Sequence, residues 1–282
     1  MADVQKLSIP DLAAMKKEGK KISMITAYSY PQALLVDEAG IDIILVGDSL
    51  GMVELGYNGT TPVTMDEMLN HTKPVMRAVK RCHVVGDMPF MSYNISKEQA
   101  ITNAGILYKD GGCDSIKLEG GQDFAPTVEA IVKAGIPVFG HIGLTPQTAG
   151  ALGGFKVQGK SAAAARALID DARALEAAGC FSIVLEAIPA PIARMITEAV
   201  EIPTIGIGAG VDCDGQVMVI HDMVGLFDRF TPKFVKQYAK ISDTIASAIA
   251  AYADDVKNRR FPGEEHSFTM KTDELDKMEK AR

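Results

Sequence analysis

Short apolar runs that stop at an acidic residue, each followed by a helical segment, recur through most of this 282-residue chain. "IDIILVGDSLG" (41–51) meets Asp48; "HVVGDMP" meets Asp87, "SIKLEGG" Glu119 and "SIVLEAIP" Glu186. Burying a carboxylate is costly unless something compensates its charge. Four acids in the same relative place therefore ask for a shared explanation.

Short apolar strands alternating with helices imply βαβ units and a parallel sheet. The pattern predicts strands within 21–28, 41–48, 83–89, 115–121, 137–144, 182–189 and 203–210, and an eighth in or around 216–226. Helices are expected at 8–18, 31–40, 64–81, 96–112, 123–135, 161–179, 190–200 and about 240–258. Gly40 closes the second, Thr64 and Ser96 are N-caps, and Pro74 predicts a kink or break in the helix from 64. Eight units in about 250 residues match a (β/α)8 TIM barrel with a short N-terminal helix. A doubly wound open sheet is the competing fold. Residues 1–268 read as one barrel domain, and the polar run 269–282 reads as a mobile tail.

Composition narrows the partners. A formal net charge of −7 and no long basic run argue against nucleic acid and anionic membrane surfaces. The first twenty residues have no apolar signal core, and no uninterrupted apolar run is long enough to cross a bilayer. The four cysteines are scattered without a C-x-x-C pair, as expected of buried thiols in a reducing compartment. Together these features predict a cytoplasmic protein acting on small molecules.

In a parallel barrel, active sites form at the rim where the chain leaves the strands. Residues two apart on a strand share a face, so Lys117 and Glu119 point the same way. By the same rule Asp48 is expected to share a face with Val46, Asp87 with Val85, and Glu186 with Val184. If those faces look inward, four carboxylates and a lysine meet at one mouth. A divalent cation would relieve their repulsion, and oxygen ligands without a Cys or His cluster favour Mg2+ over zinc. Helix capping or pairing with a nearby lysine explains any one such acid equally well, but explains four less easily.

The blocks "VGDSLG", "GYNGTTPVT", "GDMPF", "KLEGG", "GHIGLTPQ", "GGFKVQG", "VLEAIP", "IGIGAG" and "FPGEEHSF" occur in that order between residues 46 and 268. The set resembles the ketopantoate hydroxymethyltransferase family, and the likeness spans about residues 8–268. It implies a TIM barrel that binds Mg2+, one ion per subunit. The implied reaction transfers a one-carbon unit from the co-substrate 5,10-methylenetetrahydrofolate to 3-methyl-2-oxobutanoate, giving 2-dehydropantoate. It further implies Asp48, Asp87 and Glu119 at the metal, Glu119 as the outer carboxylate, and Glu186 as the proton-abstracting base. Asp48, Ser49, Asp87, Lys117 and His141 are implied at the substrate. A homo-oligomer, a homodecamer in the family, is implied too. Ser29 stands where the family usually has aspartate, outside the expected ligands.

The groups suit that chemistry. A cation polarising the keto oxygen would acidify C3, Glu186 would take the proton, and Lys117 would offset the developing charge. The glycine-rich segments 50–60 and 149–160 are lid or folate-wall candidates, and His221 is a candidate pocket residue. "GIGAG" reads as close backbone packing rather than a phosphate cradle. His71, His83 and His266 read as structural. Three rival readings share these residues: a lyase or mutase of the phosphoenolpyruvate barrel group, a Schiff-base aldolase using Lys117, and a non-catalytic 2-oxo acid sensor.

Overall fold

The structure is a computed structural model that describes residues 5–227 and 231–280. Eight parallel strands close into a barrel in sequence order: β1 (Ile22–Thr26), β2 (Ile43–Val46), β3 (His83–Asp87), β4 (Ser115–Lys117), β5 (Val138–Gly143), β6 (Ser182–Glu186), β7 (Thr204–Ile207) and β8 (Gly215–Met218). β8 returns to β1 with Ile22 opposite Gly215, which completes the circle and excludes the open sheet.

Alternation along the strands divides the apolar residues into two cores. Met24, Leu45, Val85, Phe139, Val184 and Ile205 fill the barrel, whereas Ile44, Val84, Ile116, Leu118, Ile183 and Leu185 face the surrounding helices. The N-terminal helix α1 (Ile9–Lys17) adds Leu12 to the inner core at the end where the strands begin. Lys16 fixes it there. Its Nζ donates to the carbonyls of Thr197, Val200 and Ile202 and lies 3.0 Å from Asp214. The opposite end is left open for a site.

The outer helices are α2 (Tyr30–Glu38), α4 (Met65–Ala78), α5 (Lys97–Gly105), α6 (Ala125–Lys133), α7 (Ala162–Ala177) and α8 (Ala190–Ala199), with a one-turn α3 (Leu50–Val53) between β2 and α4. Thr64 caps α4 reciprocally with Glu67, and Ser96 accepts from the Gln99 N–H at the start of α5. α4 runs through Pro74 without ending, because its inward face stays anchored by Met68, Thr72 and Val75 on either side. α5 continues as a wider π-turn over Ile106–Asp110.

Two regions depart from a uniform eightfold repeat. No helix lies between β7 and β8. β8 is also shorter than the 216–226 pattern, because the chain turns into α9 (Ile220–Met223), whose first N–H donates to Thr26 Oγ1 at 2.9 Å. Beyond it, α10 (Ile241–Lys257) buries none of its residues and exposes Ile245, Ile249, Tyr252 and Val256. Within the polar segment 269–282, Thr272–Lys280 form α11, exposed throughout. Among the described residues no helix is long and apolar enough to cross a membrane.

Candidate active site

The open end of the barrel holds a cavity of about 690 Å³. Asp48, Ser49, Asp87, Lys117, Glu119, His141 and Glu186 all line it. Strand geometry delivers most of them: Lys117 and Glu119 point inward while Ile116 and Leu118 join the outer core, and Asp87 and Glu186 follow the inward Val85 and Val184. Asp48 arrives differently. Val46 faces outward and Leu45 inward, so Asp48 does not share a face with Val46. β2 ends at Val46, and the turn at Gly47 and Asp48 leads into α3, so two-residue periodicity does not carry across.

At the floor, the Asp48 backbone N–H donates to Asp87 Oδ2 at 3.1 Å, and Lys117 Nζ donates to Asp87 Oδ1 at 2.7 Å. Lys117 Nζ also lies 3.9 Å from Glu119 Oε1. Burial works against its charge, but Asp87, Glu119 and Asp48 outweigh burial and raise its pKa. It therefore stays an ammonium. His141 stands between Glu119 Oε1, 3.4 Å from Nδ1, and Glu186 Oε2, 3.2 Å from Nε2. These are ion-pair distances without hydrogen-bond alignment. Burial opposes its protonation, yet the two carboxylates lift its pKa to about 9. Glu119 is held below the usual carboxylate range: burial raises it, but His141 and Lys117 prevail.

Asp48 and Asp87 are the unbalanced pair. Burial, then the charges of Asp87 and Glu119, push Asp48 well above the usual range, and burial likewise raises Asp87 despite Lys117. Asp48 Oδ2 accepts from Gln147, while no donor among the described residues reaches Oδ1. Among the described residues no three His, Cys, Asp or Glu side chains are grouped to enclose a metal ion. Asp48 and Asp87 could give a hard cation two carboxylates and leave its remaining positions to water and substrate. That donor set suits Mg2+, which keeps several waters and takes one or two carboxylates plus an anionic ligand.

Chain-wide comparison with known proteins identifies the family. The sequence model described as ketopantoate hydroxymethyltransferase matches residues 6–264. The chain belongs to the ketopantoate hydroxymethyltransferase family. A relative called 3-methyl-2-oxobutanoate hydroxymethyltransferase from Moorella thermoacetica is 59% identical over 268 residues, covering 95% of this chain and 100% of the relative. Another of that name, from Heliobacterium modesticaldum, is 60% identical over 266 residues, covering 94% and 96%. Among solved structures, phosphonopyruvate hydrolase in complex with oxalate and Mg++ aligns with a TM-score of 0.60 at 12% identity, covering 97% of this chain and 98% of that one. Phosphoenolpyruvate phosphomutase from Streptomyces platensis subsp. rosaceus aligns at 0.59 and 16%, covering 95% and 97%. At such identities these two show a shared barrel fold.

Other family blocks surround the same cavity. Gly143, with φ +98°, ends β5 where an added Cβ would lie 2.3 Å from the Glu186 carbonyl, so only glycine lets β5 approach β6 there. Ala187, directly after Glu186, also has positive φ at +49°, a strained position for a residue with a side chain. In "GIGAG", a Cβ on Gly206 would meet Cys213 Sγ at 2.9 Å, consistent with close packing. From the 149–160 segment, Phe155, Lys156 and Val157 form part of the cavity wall.

Ser29 is the N-cap residue of α2, and its side chain makes no capping hydrogen bond. Tyr28 donates its backbone N–H to Gln32 Oε1, shares a hydrogen bond with Ser49 Oγ at 2.8 Å, and stacks near His221 at 5.5 Å. His221 itself is buried against Tyr28 and Glu54, and its neighbour Asp222 is the residue that lines the cavity. His71 Nδ1 lies 2.6 Å from the Tyr28 carbonyl and His83 Nε2 2.9 Å from Ser115 Oγ, both structural placements.

Two further residues organise the acids and carried no chemical signal in the sequence. Gln147 donates from Nε2 to Asp48 Oδ2 and the Met88 carbonyl, both at 2.9 Å, and from its backbone N–H to Glu119 Oε2 at 3.1 Å. Tyr93 OH donates to Gln147 Oε1 at 2.6 Å and accepts the Glu119 N–H at 3.2 Å. The only sequence hint was that Gln147 ends the family block "GHIGLTPQ".

Proposed function

We propose that the protein transfers a hydroxymethyl group from 5,10-methylenetetrahydrofolate to 3-methyl-2-oxobutanoate, giving 2-dehydropantoate. One observation carries this reading most: the buried pair Asp48 and Asp87 lies in the same cavity as Glu186, a half-buried carboxylate at the rim. A cation-gripping floor below a base is what enolising a 2-oxo acid requires. The relatives' shared name supports the substrate.

Asp48 and Asp87 would hold Mg2+ with Glu119 as the outer carboxylate, and the bound ion would polarise the keto oxygen as a Lewis acid. Ser49, backed by Tyr28, offers a hydroxyl to the substrate carboxylate. Lys117 supplies fixed positive charge beneath the developing enolate. Glu186 takes the C3 proton, and the electron pair of that C–H bond moves into the C2–C3 bond. His141 holds the Glu186 carboxylate in place, itself held from behind by Glu119. The enolate carbon then bonds to the one-carbon unit, water supplies the product hydroxyl, and the folate leaves. The C3 proton and one water proton end on the two folate nitrogens, so atoms and charge balance. Lys117 does not suit Schiff-base chemistry, because that step needs a neutral amine and its carboxylate neighbours keep it protonated.

A second copy of the chain is the proposed cover for the exposed apolar side of α10, in keeping with a homo-oligomer. Four free, buried cysteines support a cytoplasmic setting.

The test is a 2-dehydropantoate assay with Mg2+ and with EDTA, paired with release of deuterium from C3-labelled substrate. Product only with metal, and exchange lost in Glu186→Gln, is the expected result. Undiminished exchange in that variant would remove Glu186 as the base.

A further inference from the structure

The cavity is much larger than the keto acid requires. At about 690 Å³ it falls within the roughly 300–1,000 Å³ of sites for drug-sized ligands, whereas the keto acid has five carbons. The groups assigned to the keto acid come from the ends of β2 to β6, one arc of the rim. The opposite arc, over β7, β8 and β1, has a different lining. There Ile207, Val219, Phe227 and Phe234 form apolar walls.

Set into those walls is Asp222. Apart from Asp48, Asp87, Glu119 and Glu186, it is the one carboxylate among the described residues that lines the cavity. None of the described side chains forms a hydrogen bond or ion pair with it. Burial lifts its pKa to about 6, so its charge is held at some expense. The backbone on either side of it is nonetheless pinned. The Ile220 N–H donates to Thr26 Oγ1, Leu226 N–H to the His221 carbonyl at 2.9 Å, and Tyr238 N–H to the Met223 carbonyl at 2.8 Å. A fixed carboxylate with apolar surroundings and no partner among the described side chains suits a ligand that brings its own N–H donors.

We propose that Asp222 anchors the one-carbon donor, its two oxygens accepting the ring N–H and exocyclic amino group on the 2-amino-4-oxo edge of the pterin. This rests on the folate-dependent reading above. The flat, apolar faces of the pterin fit the Phe227 and Phe234 side of the cavity, and Lys156 and Lys233 at its margin offer positive charge to the glutamyl carboxylates. Asp222 is a binding residue here and takes no part in proton abstraction.

The experiment measures binding of tetrahydrofolate to the wild-type protein and to Asp222→Asn by titration calorimetry, with thermal unfolding as the check on folding. Loss of the paired contact to a charged acceptor is expected to weaken binding by about ten- to a hundredfold. A folate analogue with methyl in place of the 2-amino group should bind the wild type more weakly by a similar factor. That arm needs no variant and decides the matter if Asp222→Asn fails to fold. Equal affinity of the wild type for analogue and parent, or unchanged affinity in a folded Asp222→Asn, would overturn the proposal. Deuterium exchange at C3 of the keto acid in the wild type separates the two readings: its absence removes the hydroxymethyl-transfer reading, whereas its presence with unchanged folate affinity removes only Asp222.

Discussion

Gln147 Nε2 donates to Asp48 Oδ2 at 2.9 Å, joining residues 99 positions apart in the chain. The amide cannot be flipped. Its nitrogen faces a carboxylate and the Met88 carbonyl, and its oxygen faces the Tyr93 hydroxyl, whose own acceptor role is filled by the Glu119 N–H. This places one Asp48 oxygen under protein control and directs the other toward the cavity. Replacing Gln147 with Leu leaves these buried partners without it, at about 1–3 kcal/mol for each unsatisfied group. A loss of about 3 kcal/mol in urea unfolding and a large fall in turnover are expected. A variant within about 0.5 kcal/mol of wild type would show that Gln147 does not hold the acids. Gln147→Glu sets a like charge against Asp48, so its loss of stability in EDTA should exceed that of Leu and be recovered more fully by Mg2+.

Lys117 and a bound cation neutralise the same carboxylates, and their effects should therefore be exchangeable. Lys117→Met removes the partner of Asp87 and should cost about 3–5 kcal/mol in EDTA, the scale of breaking a buried ion pair. Mg2+ at a hundred times its wild-type dissociation constant should add about 2.7 kcal/mol to the wild type, and the same concentration should add more to the variant, whose unpaired carboxylates bind the ion more tightly. Unfolding midpoints that ignore Mg2+ in both proteins would exclude Asp48 and Asp87 as its site.

Much of the site was legible wherever period-two alternation holds. Lys117, Glu119, Asp87 and Glu186 sit on or just past strands whose apolar residues announce the inward face. Asp48 was legible as an acid at a strand end, but its orientation was not, because the turn after Val46 resets the alternation. Gln147 and Tyr93 lie on loops after β5 and β3, where no periodicity reports direction, and their partners come from distant segments. His221 was expected at the pocket and Asp222 stands there instead, for a similar reason. An expected strand became the one-turn α9, which turns the histidine toward Tyr28 and the aspartate toward the cavity.

At the other end of the barrel, His83 is buried beside Ser115 and the edge of Phe181. Burial holds its pKa below 6.5, overcoming the pull of Asp114. A folded-state pKa below the unfolded value means that the unfolded chain binds more protons at acid pH. The fold therefore loses stability as pH falls below about 6.5. Relative to His83→Gln, the wild type should lose up to about 1.4 kcal/mol per pH unit below that point until the folded histidine itself protonates. Urea titrations of both proteins between pH 7.5 and 5 measure the difference. A constant gap across that range would exclude His83 as a source of acid sensitivity.

The last prediction concerns the helix that the barrel does not bury. Ile245, Ile249, Tyr252 and Val256 recur at spacings of four, three and four, one stripe along α10, with exposures between 42% and 62%. Helices of this kind are stabilised by packing an apolar face rather than by propensity alone, so a 17-residue helix with no buried residue lacks its support in the isolated chain. A second copy supplies that support if the stripes or their neighbouring surfaces meet. Light scattering of the purified protein should then give a mass that is a multiple of 30.1 kDa. The double change Ile249→Asp and Tyr252→Glu should shift it to the monomer and lower the helical signal, since charges on the stripe cannot be desolvated without large cost. An assembly that keeps its mass in the double variant would place the subunit contact elsewhere and leave the α10 stripe as a solvent-facing surface.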